Sequence, residues 1–468
     1  MSNQQTDSGP KRSLKVNPCR CTPPPACAVN RAVRVSKRWG WALIQTSRAD
    51  SCAERSLTVA APLSGLRASA RVLLSLLLSV PTSLVADDLV LSNKFGEVTV
   101  EIFIPDDTPV VRGMIVHAAN YTLKPGDRWA EFGRSIGFGH VALNMDNVRS
   151  AGNRGPRLRA ALDKALKECA ERTGHKELLN VPLAGTGHSA GGLVTPTLLA
   201  TPERVITLTI DCGWVSDPKK FKPADRLVPQ LFTLGAIPDA FKMLPGIESN
   251  FVPARAESWP WALGVQHGCA HDYGNSAVLQ IAWMHGIISA RLPANADARA
   301  GAPKLRETKL EDGWLGDIDS VSNQWATIAP WGEFRGDKSR AAWFPNRAVA
   351  YVWRAWEAKD SPVVLEATTS DGSAKLPPWN PKSSRDLMLN PGVDVHLGVT
   401  MAADLSAKSV QYFDGDILLG SASAPPWKFA WREPRPGAHA IHAIWETTDD
   451  RHGAVNPALV VIRGRRNP

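Results

Sequence analysis

From Asp87 to about residue 290, short apolar segments of strand type alternate with amphipathic segments of helix type, and few folds satisfy that alternation. Residues 97–105 (EVTVEIFIP) alternate as a strand with one buried face does; residues 112–118 (RGMIVHA) and 140–145 (HVALNM) are compact apolar strands, with a helix expected over 129–136 between them. In residues 157–173, Leu158, Ala161, Leu162, Ala165, Leu166 and Cys169 recur at i, i+3, i+4 and line one face of a helix. A strand is expected over 178–183. After a Gly-rich elbow comes a helix over 193–200, in which Pro196 is tolerated only in the first turn. Residues 205–210, 230–234 and 261–265 read as three further strands, and a helix over 279–288 closes the series. The pattern predicts an α/β fold: a doubly wound, mostly parallel sheet covered by helices on both faces.

The chain has 468 residues and a formal charge of +9, which invites a nucleic-acid partner until the charge is located. Residues 1–71 hold 12 Lys and Arg against 3 Asp and Glu, the whole of the excess, while residues 72–468 carry 42 of each sign. With a neutral body, no nucleic-acid partner is expected. Arg67 and Arg71 precede the apolar run 72–80, then Pro81 and small residues up to Ala86, as in a secretory signal, so the protein is expected to be secreted, periplasmic or at the cell surface. The run is far shorter than the roughly 20 residues of a membrane-spanning helix, so no span is expected. Two readings account for the basic stretch ahead of it: an over-extended reading frame whose true start lies near residues 63–72, or a disordered basic tail. Residues 1–86 are thus taken as an extension plus signal segment. Four cysteines, Cys19, Cys21, Cys27 and Cys52, lie there at spacings that suit no zinc site, and no metal or cofactor is expected. Cys169, Cys212 and Cys269 remain, an odd number that makes no disulfide framework and leaves open whether Cys212 and Cys269 pair.

Residues 87–361 form the expected α/β domain. Its last part, 291–361, is rich in tryptophan (Trp314, Trp325, Trp331, Trp343, Trp353, Trp356) and reads foremost as core filling, with an aromatic binding platform as the alternative. Beyond Ser361, strands at 394–401, 409–413, 417–420, 428–431, 438–446 and 458–462, with Asp414-Gly415 as a hairpin turn, predict an all-β sandwich over 362–465. The run 408–431 (KSVQYFDGDILLGSASAPPWKFAW), followed by PGAHAIHAIWETTDD, resembles the bacterial immunoglobulin-like modules appended to secreted enzymes. That resemblance implies a spacer or attachment module without a catalytic role.

Gly187-His188-Ser189-Ala190-Gly191 is a G-x-S-x-G sequence between a predicted strand and a predicted helix. In that setting the serine occupies a strained turn, the flanking glycines provide clearance, and the Ala190 N–H at the helix start points to where an oxyanion would form. A serine nucleophile needs a base and an orienting carboxylate later in the chain, in the order acid, then histidine. Asp239, reached from strand 230–234 through Gly235, is the favoured acid. Asp211, ending strand 205–210, is its rival, and a helix N-cap is the bland role for Asp239. His271, in the loop after strand 261–265, is the favoured base ahead of His267, while His285 on the next helix reads as packing. Ala119, in the loop after strand 112–118, is the candidate for the second oxyanion donor.

With these residues in view, residues 87–290 resemble an α/β-hydrolase, GHSAGG being its nucleophile elbow and GCAHD its histidine loop. The resemblance implies acyl transfer to water: Ser189 attacks an ester carbonyl, His271 moves the proton, Asp239 orients the imidazole, and the Ala119 and Ala190 N–H groups hold the oxyanion. The substrate would be a small-molecule or polymeric ester, carbohydrate-linked esters included. The alternatives are a non-catalytic binding protein on a degenerate scaffold of this kind, or a peptidase or lipase. A lipase is disfavoured by the charged insertion of Lys219, Lys220, Lys222, Asp225 and Arg226, where an apolar lid would be needed.

Overall fold

A computed structural model describes residues 89–119, 121–124, 126–145, 154–237, 242–320, 326–358 and 361–464. The basic front with its apolar run 72–80, Asp239 and Trp325 lie outside them. The described chain mixes helices with several β-sheets.

The largest sheet has eight strands: β1 (Leu89–Phe95), β2 (Val98–Ile104), β3 (Gly113–Ala118), β4 (Phe138–Met145), β5 (Leu183–His188), β6 (Val205–Asp211), β7 (Gln230–Gly235) and β8 (Trp261–Gln266). They lie in the order β1-β2-β4-β3-β5-β6-β7-β8. β1 and β2 are antiparallel to their neighbours, and all other pairs are parallel. β3, β6, β7 and β8 are buried at every residue, which is why they read as continuous apolar runs, whereas β2 near the edge keeps partly exposed residues at alternate positions in its first half. Between strands run α1 (Arg128–Ile136), α2 (Arg154–Thr173), the short α3 (Val194–Leu198), α4 (Leu244–Ala256) and α5 (Ser276–Arg291). Helix α1 is delimited by local chemistry: the Asp127 carboxylate accepts from the Trp129 and Ala130 N–H groups, and Gly137 closes it at φ 70°. The helical face expected on α2 is the buried one, Leu158, Ala161, Leu162, Ala165, Leu166 and Cys169 included.

One strand is displaced from its expected place. Residues Lys176–Leu179 form a 3₁₀ turn, in which Glu177 accepts the Val111 N–H, and the strand starts only at Leu183, after Pro182. Its sequence, LAGTGH, has little strand propensity. Its place at the centre of the sheet makes it a strand, with Gly185 packed so closely under Leu208 and Val194 that a side chain would collide with both.

The described residues between 291 and 358 continue the same apolar core. A small sheet of β9 (Trp314–Gly316), β10 (Ile328–Pro330) and β11 (Ala342–Phe344) leads into α6 (Arg347–Glu357). Trp343, Trp353 and Trp356 are buried there, and their indole N–H groups donate to the Leu310, Leu263 and Asn275 carbonyls. These three are core residues, and they are no exposed platform.

The remaining strands are β12 (Val363–Thr369), β13 (Asp386–Leu389), β14 (Val395–Met401), β15 (Ala407–Asp414), β16 (Ile417–Ala422), β17 (Lys428–Trp431), β18 (Gly437–Thr447), β19 (His452–Ala454) and β20 (Ala458–Ile462). One sheet is β12-β14-β17; the other is β13-β20-β18-β15-β16, with β19 beside β18. Between them lie Val363, Leu365, Leu397, Tyr412, Ile441 and Val460. β18 is buried on both faces: Ile441, Ala443 and Trp445 point into this core, while Ala438 and Ala440 belong to the core of the large sheet and Ile444 packs with Tyr351 and Ala355 of α6. Among the described residues, no helix is long and apolar enough to cross a membrane.

Trp353→Ala empties a large, fully buried site and removes the Leu263 hydrogen bond, so it is expected to lower stability by about 3–5 kcal/mol in urea unfolding. A loss below about 1 kcal/mol would show that this region contributes little to the core.

Candidate active site

β5 ends at His188, and the next residue, Ser189, has φ 54°, in the left-handed region that side chains other than glycine rarely occupy. A 3₁₀ turn over Ser189–Leu193 then leads into α3. Two glycines make this turn possible. A Cβ on Gly187 would lie 2.4 Å from the Gly191 carbonyl oxygen, and one on Gly191 would lie 2.7 Å from the Ala118 carbonyl oxygen. Both contacts are with backbone, which cannot swing aside as a side chain could.

His271 lies in the exposed loop after β8, and its Nε2 is 2.9 Å from Ser189 Oγ. The two residues are far apart in sequence and meet because β5 and β8 are parallel members of one sheet and end on the same side of it. The end of β7 is stitched to the same loop: the Ala236 and Ile237 N–H groups donate to the Gln266 and Cys269 carbonyls, each at 2.9 Å, and Gly235 leaves no room for a side chain against the Cys269 and Ala270 carbonyls. Asp239, a few residues further on, is outside the described residues.

Asp211 ends β6 directly beside His188 in the sheet register. Its Oδ1 accepts from the Thr233 hydroxyl at 2.7 Å, and its Oδ2 lies 3.9 Å from His188 Nε2, beyond hydrogen-bonding range. This carboxyl is directed at Thr233 and His188. Complete burial pushes it up to about 8. His188 fills the variable position of the G-x-S-x-G sequence, which the motif leaves unspecified. Its ring packs 4.3 Å from the Tyr273 ring and edge-on to His271 at 5.1 Å, and burial lowers it to about 4, so it is neutral at pH 7. No spacing rule could have singled it out, because its importance comes from side chains on β6 and the histidine loop.

Ala119 departs from expectation. Its N–H donates to the Leu143 carbonyl at 2.7 Å, so the sheet consumes the hydrogen that was to face an oxyanion. Its φ is 59°, a second left-handed residue next to the Ala118 carbonyl that abuts Gly191. Ala190 is the second residue of the Ser189–Leu193 turn, where N–H groups have no partner within the helix. Cys212 and Cys269 are free thiols, each directed at backbone carbonyls of the histidine loop: Cys212 at Ala270 and Asp272, Cys269 at Asp272. The donor atoms of His188, Asp211 and Cys212 lie within 4.8 Å of one another. Burial holds both the Asp211 carboxyl and the Cys212 thiol in their protonated forms, which opposes metal binding there. His285 does more than pack: its Nδ1 is 2.7 Å from Asp416 in the β15–β16 turn.

No protein family profile matches the chain, and neither does any curated protein. Among solved structures it is similar, weakly, to poly(aspartic acid) hydrolase-1 from Sphingomonas sp. KT-1, at 15% identity over 40% of this chain and 93% of that one, with a TM-score of 0.29. An arylesterase is similar at 12% identity over 42% of this chain and 80% of that one, with a TM-score of 0.28. The fibronectin(III)-like modules of Clostridium thermocellum CbhA are similar at 18% identity over 20% of this chain and 93% of that one, with a TM-score of 0.16.

The Asp211 carboxyl carries a prediction. With its folded pKa raised to about 8 from 3.8, the folded chain holds a proton that the unfolded chain has already released. The stability tied to that proton is present below the unfolded value and is lost as pH rises through about 8. Asp211→Asn keeps an oxygen for Thr233 and has no proton to lose. The parent's Tm is therefore expected to fall between pH 5 and pH 8 and that of Asp211→Asn to fall less; an equal fall in both would remove Asp211 as its source.

Proposed function

We propose that this protein is a secreted serine hydrolase of the α/β-hydrolase type that cleaves a carboxylic ester through an acyl-enzyme, with Ser189 as nucleophile, His271 as base and Asp239 as the carboxylate that orients the imidazole. The observation that carries the reading is the 2.9 Å approach of His271 Nε2 to the hydroxyl of a serine held at φ 54° between strand and helix. The mostly parallel eight-stranded sheet and the chain order serine, acid, histidine support it.

In this mechanism the Ser189 oxygen attacks the ester carbonyl while its proton passes to His271 Nε2. The imidazolium formed then protonates the departing alcohol. Negative charge developing on the carbonyl oxygen is met by the Ala190 N–H at the start of the 3₁₀ turn. Water, deprotonated by the now neutral His271, attacks the acyl-enzyme and restores the serine. Neutral His188 beside His271 adds no positive charge to oppose formation of the imidazolium. Its substrates are esters, small or polymeric, carbohydrate-linked ones among them, and the segment around residues 67–86 directs its export.

Hydrolysis of p-nitrophenyl acetate by the full chain tests the reading. Ser189→Ala is expected to lower kcat by at least ~10³-fold, as removal of a triad nucleophile does. Asp239→Asn is expected to lose ~10²–10⁴-fold, and Asp211→Asn no more than about threefold. Equal rates for parent and Ser189→Ala would favour a binding protein built on this scaffold, and a larger loss in Asp211→Asn than in Asp239→Asn would exchange the roles of the two carboxylates.

A further inference from the structure

We infer that the C-terminal sandwich is a working part of the active site: Pro381, Arg385 and Pro457 fix both ends of the loop that carries His271, with Gln266 and Asn275 as the positioning residues through which they act. The inference rests on the hydrolase reading above and concerns how its base is held.

The histidine loop leaves β8 after Gln266 and enters α5 after Asn275, and both of these residues are buried while His271 at the loop's tip is exposed. Across the base, the Asn275 N–H donates to Gln266 Oε1 at 3.3 Å. Every other side-chain bond that the structure gives these two residues goes to the C-terminal region. Gln266 Nε2 donates to the Pro381 carbonyl at 2.8 Å; Asn275 Oδ1 accepts from the Arg385 N–H at 3.1 Å, and Asn275 Nδ2 donates to the Pro457 carbonyl at 3.2 Å. Pro381 is also wedged between the loop's first and last turns. A Cβ on Gly268 would lie 2.7 Å from the Pro381 ring, and one on Gly274 would lie 2.8 Å from the Pro381 carbonyl oxygen.

The clamp is itself rigid. The buried Arg385 guanidinium donates to the Pro377, Leu365 and Asn456 carbonyls, so the backbone N–H offered to Asn275 is fixed from within the sandwich. The loop's tip is exposed and its middle is held by β7, Cys212 and His188, so the part of the Ser189–His271 distance that these contacts leave free is set from the loop's two ends. A displacement of about 1 Å in such a group can cost ~10²-fold in rate. Elsewhere the same two regions meet through His285 and Asp416, with Asn346 also donating to Asp416, at a point about 15 Å along α5 from Asn275. That contact offers a control which loosens the junction without touching the loop.

The test uses the full chain and p-nitrophenyl acetate. Asn275→Ala is expected to lower kcat ~10–100-fold with KM changed by no more than about twofold, and to shift the acid limb of the kcat–pH profile as the His271–Ser189 bond loosens. Gln266→Leu should act in the same direction, while Asp416→Ala keeps kcat within about twofold of the parent. Folded Asn275→Ala and Gln266→Leu proteins with parental kcat would overturn the inference, and so would an equal loss in Asp416→Ala, since the effect would then be general loosening. If neither loop variant folds, hydrogen exchange of the parent in low urea decides: amides of 267–275 opening together with those of the sandwich support the clamp, and loop amides still protected after the sandwich has opened overturn it. Failure of the hydrolase reading looks different, because parent and Ser189→Ala would then turn over alike.

Discussion

The structure around the candidate site depends on one local conflict, the left-handed backbone of Ser189. A serine at φ 54° costs on the order of 1–3 kcal/mol and persists only if its surroundings leave no alternative. Here they leave none. β5 is pinned at the centre of the sheet between β3 and β6, the following turn is pressed against the Ala118 carbonyl, and Gly187 and Gly191 meet backbone to backbone. The conformation therefore draws on the burial of the whole parallel sheet, and the serine is held clear of both the strand before it and the helix after it.

Much of this was legible because it is local. The G-x-S-x-G spacing is a statement about clearance within one turn, and the two glycines meet the obstacles that the spacing implies. The periodicity of α2 is an equally short-range feature. His271 was reachable from chain order together with its place in the loop after strand 261–265, since parallel strands bring their ends to one side whatever their separation in sequence.

What was not legible depends on neighbours distant in sequence. Ala119 looked suited to an oxyanion because no sequence shows which N–H groups a sheet will use, and Leu143 uses that one. β5 begins later than its apolar neighbours 178–183 suggest, because LAGTGH is a strand only by virtue of what flanks it in space. His188 and Asp211 acquire their shifted protonation from burial beside each other on adjacent strands. The segment AHAIHAIWE puts a histidine on each face of one strand, His439 on one and His442 on the other, yet both are buried along with its apolar residues. Alternation fixes which residues share a face and is silent on whether that face meets water.

The double burial of β18 bears on how such a chain can change over evolutionary time. A sandwich joined by a tether can be exchanged for another, lost or duplicated with little consequence for the enzyme that carries it. A strand whose odd-numbered residues fill one core and whose even-numbered residues fill another answers to two packing problems at once. A substitution that suits one side leaves the other untouched, but a one-residue slip in register exchanges the two sets and spoils both. The two halves are therefore expected to vary together in sequence, and the C-terminal strands to be inherited together with the large sheet instead of being shuffled as a cassette.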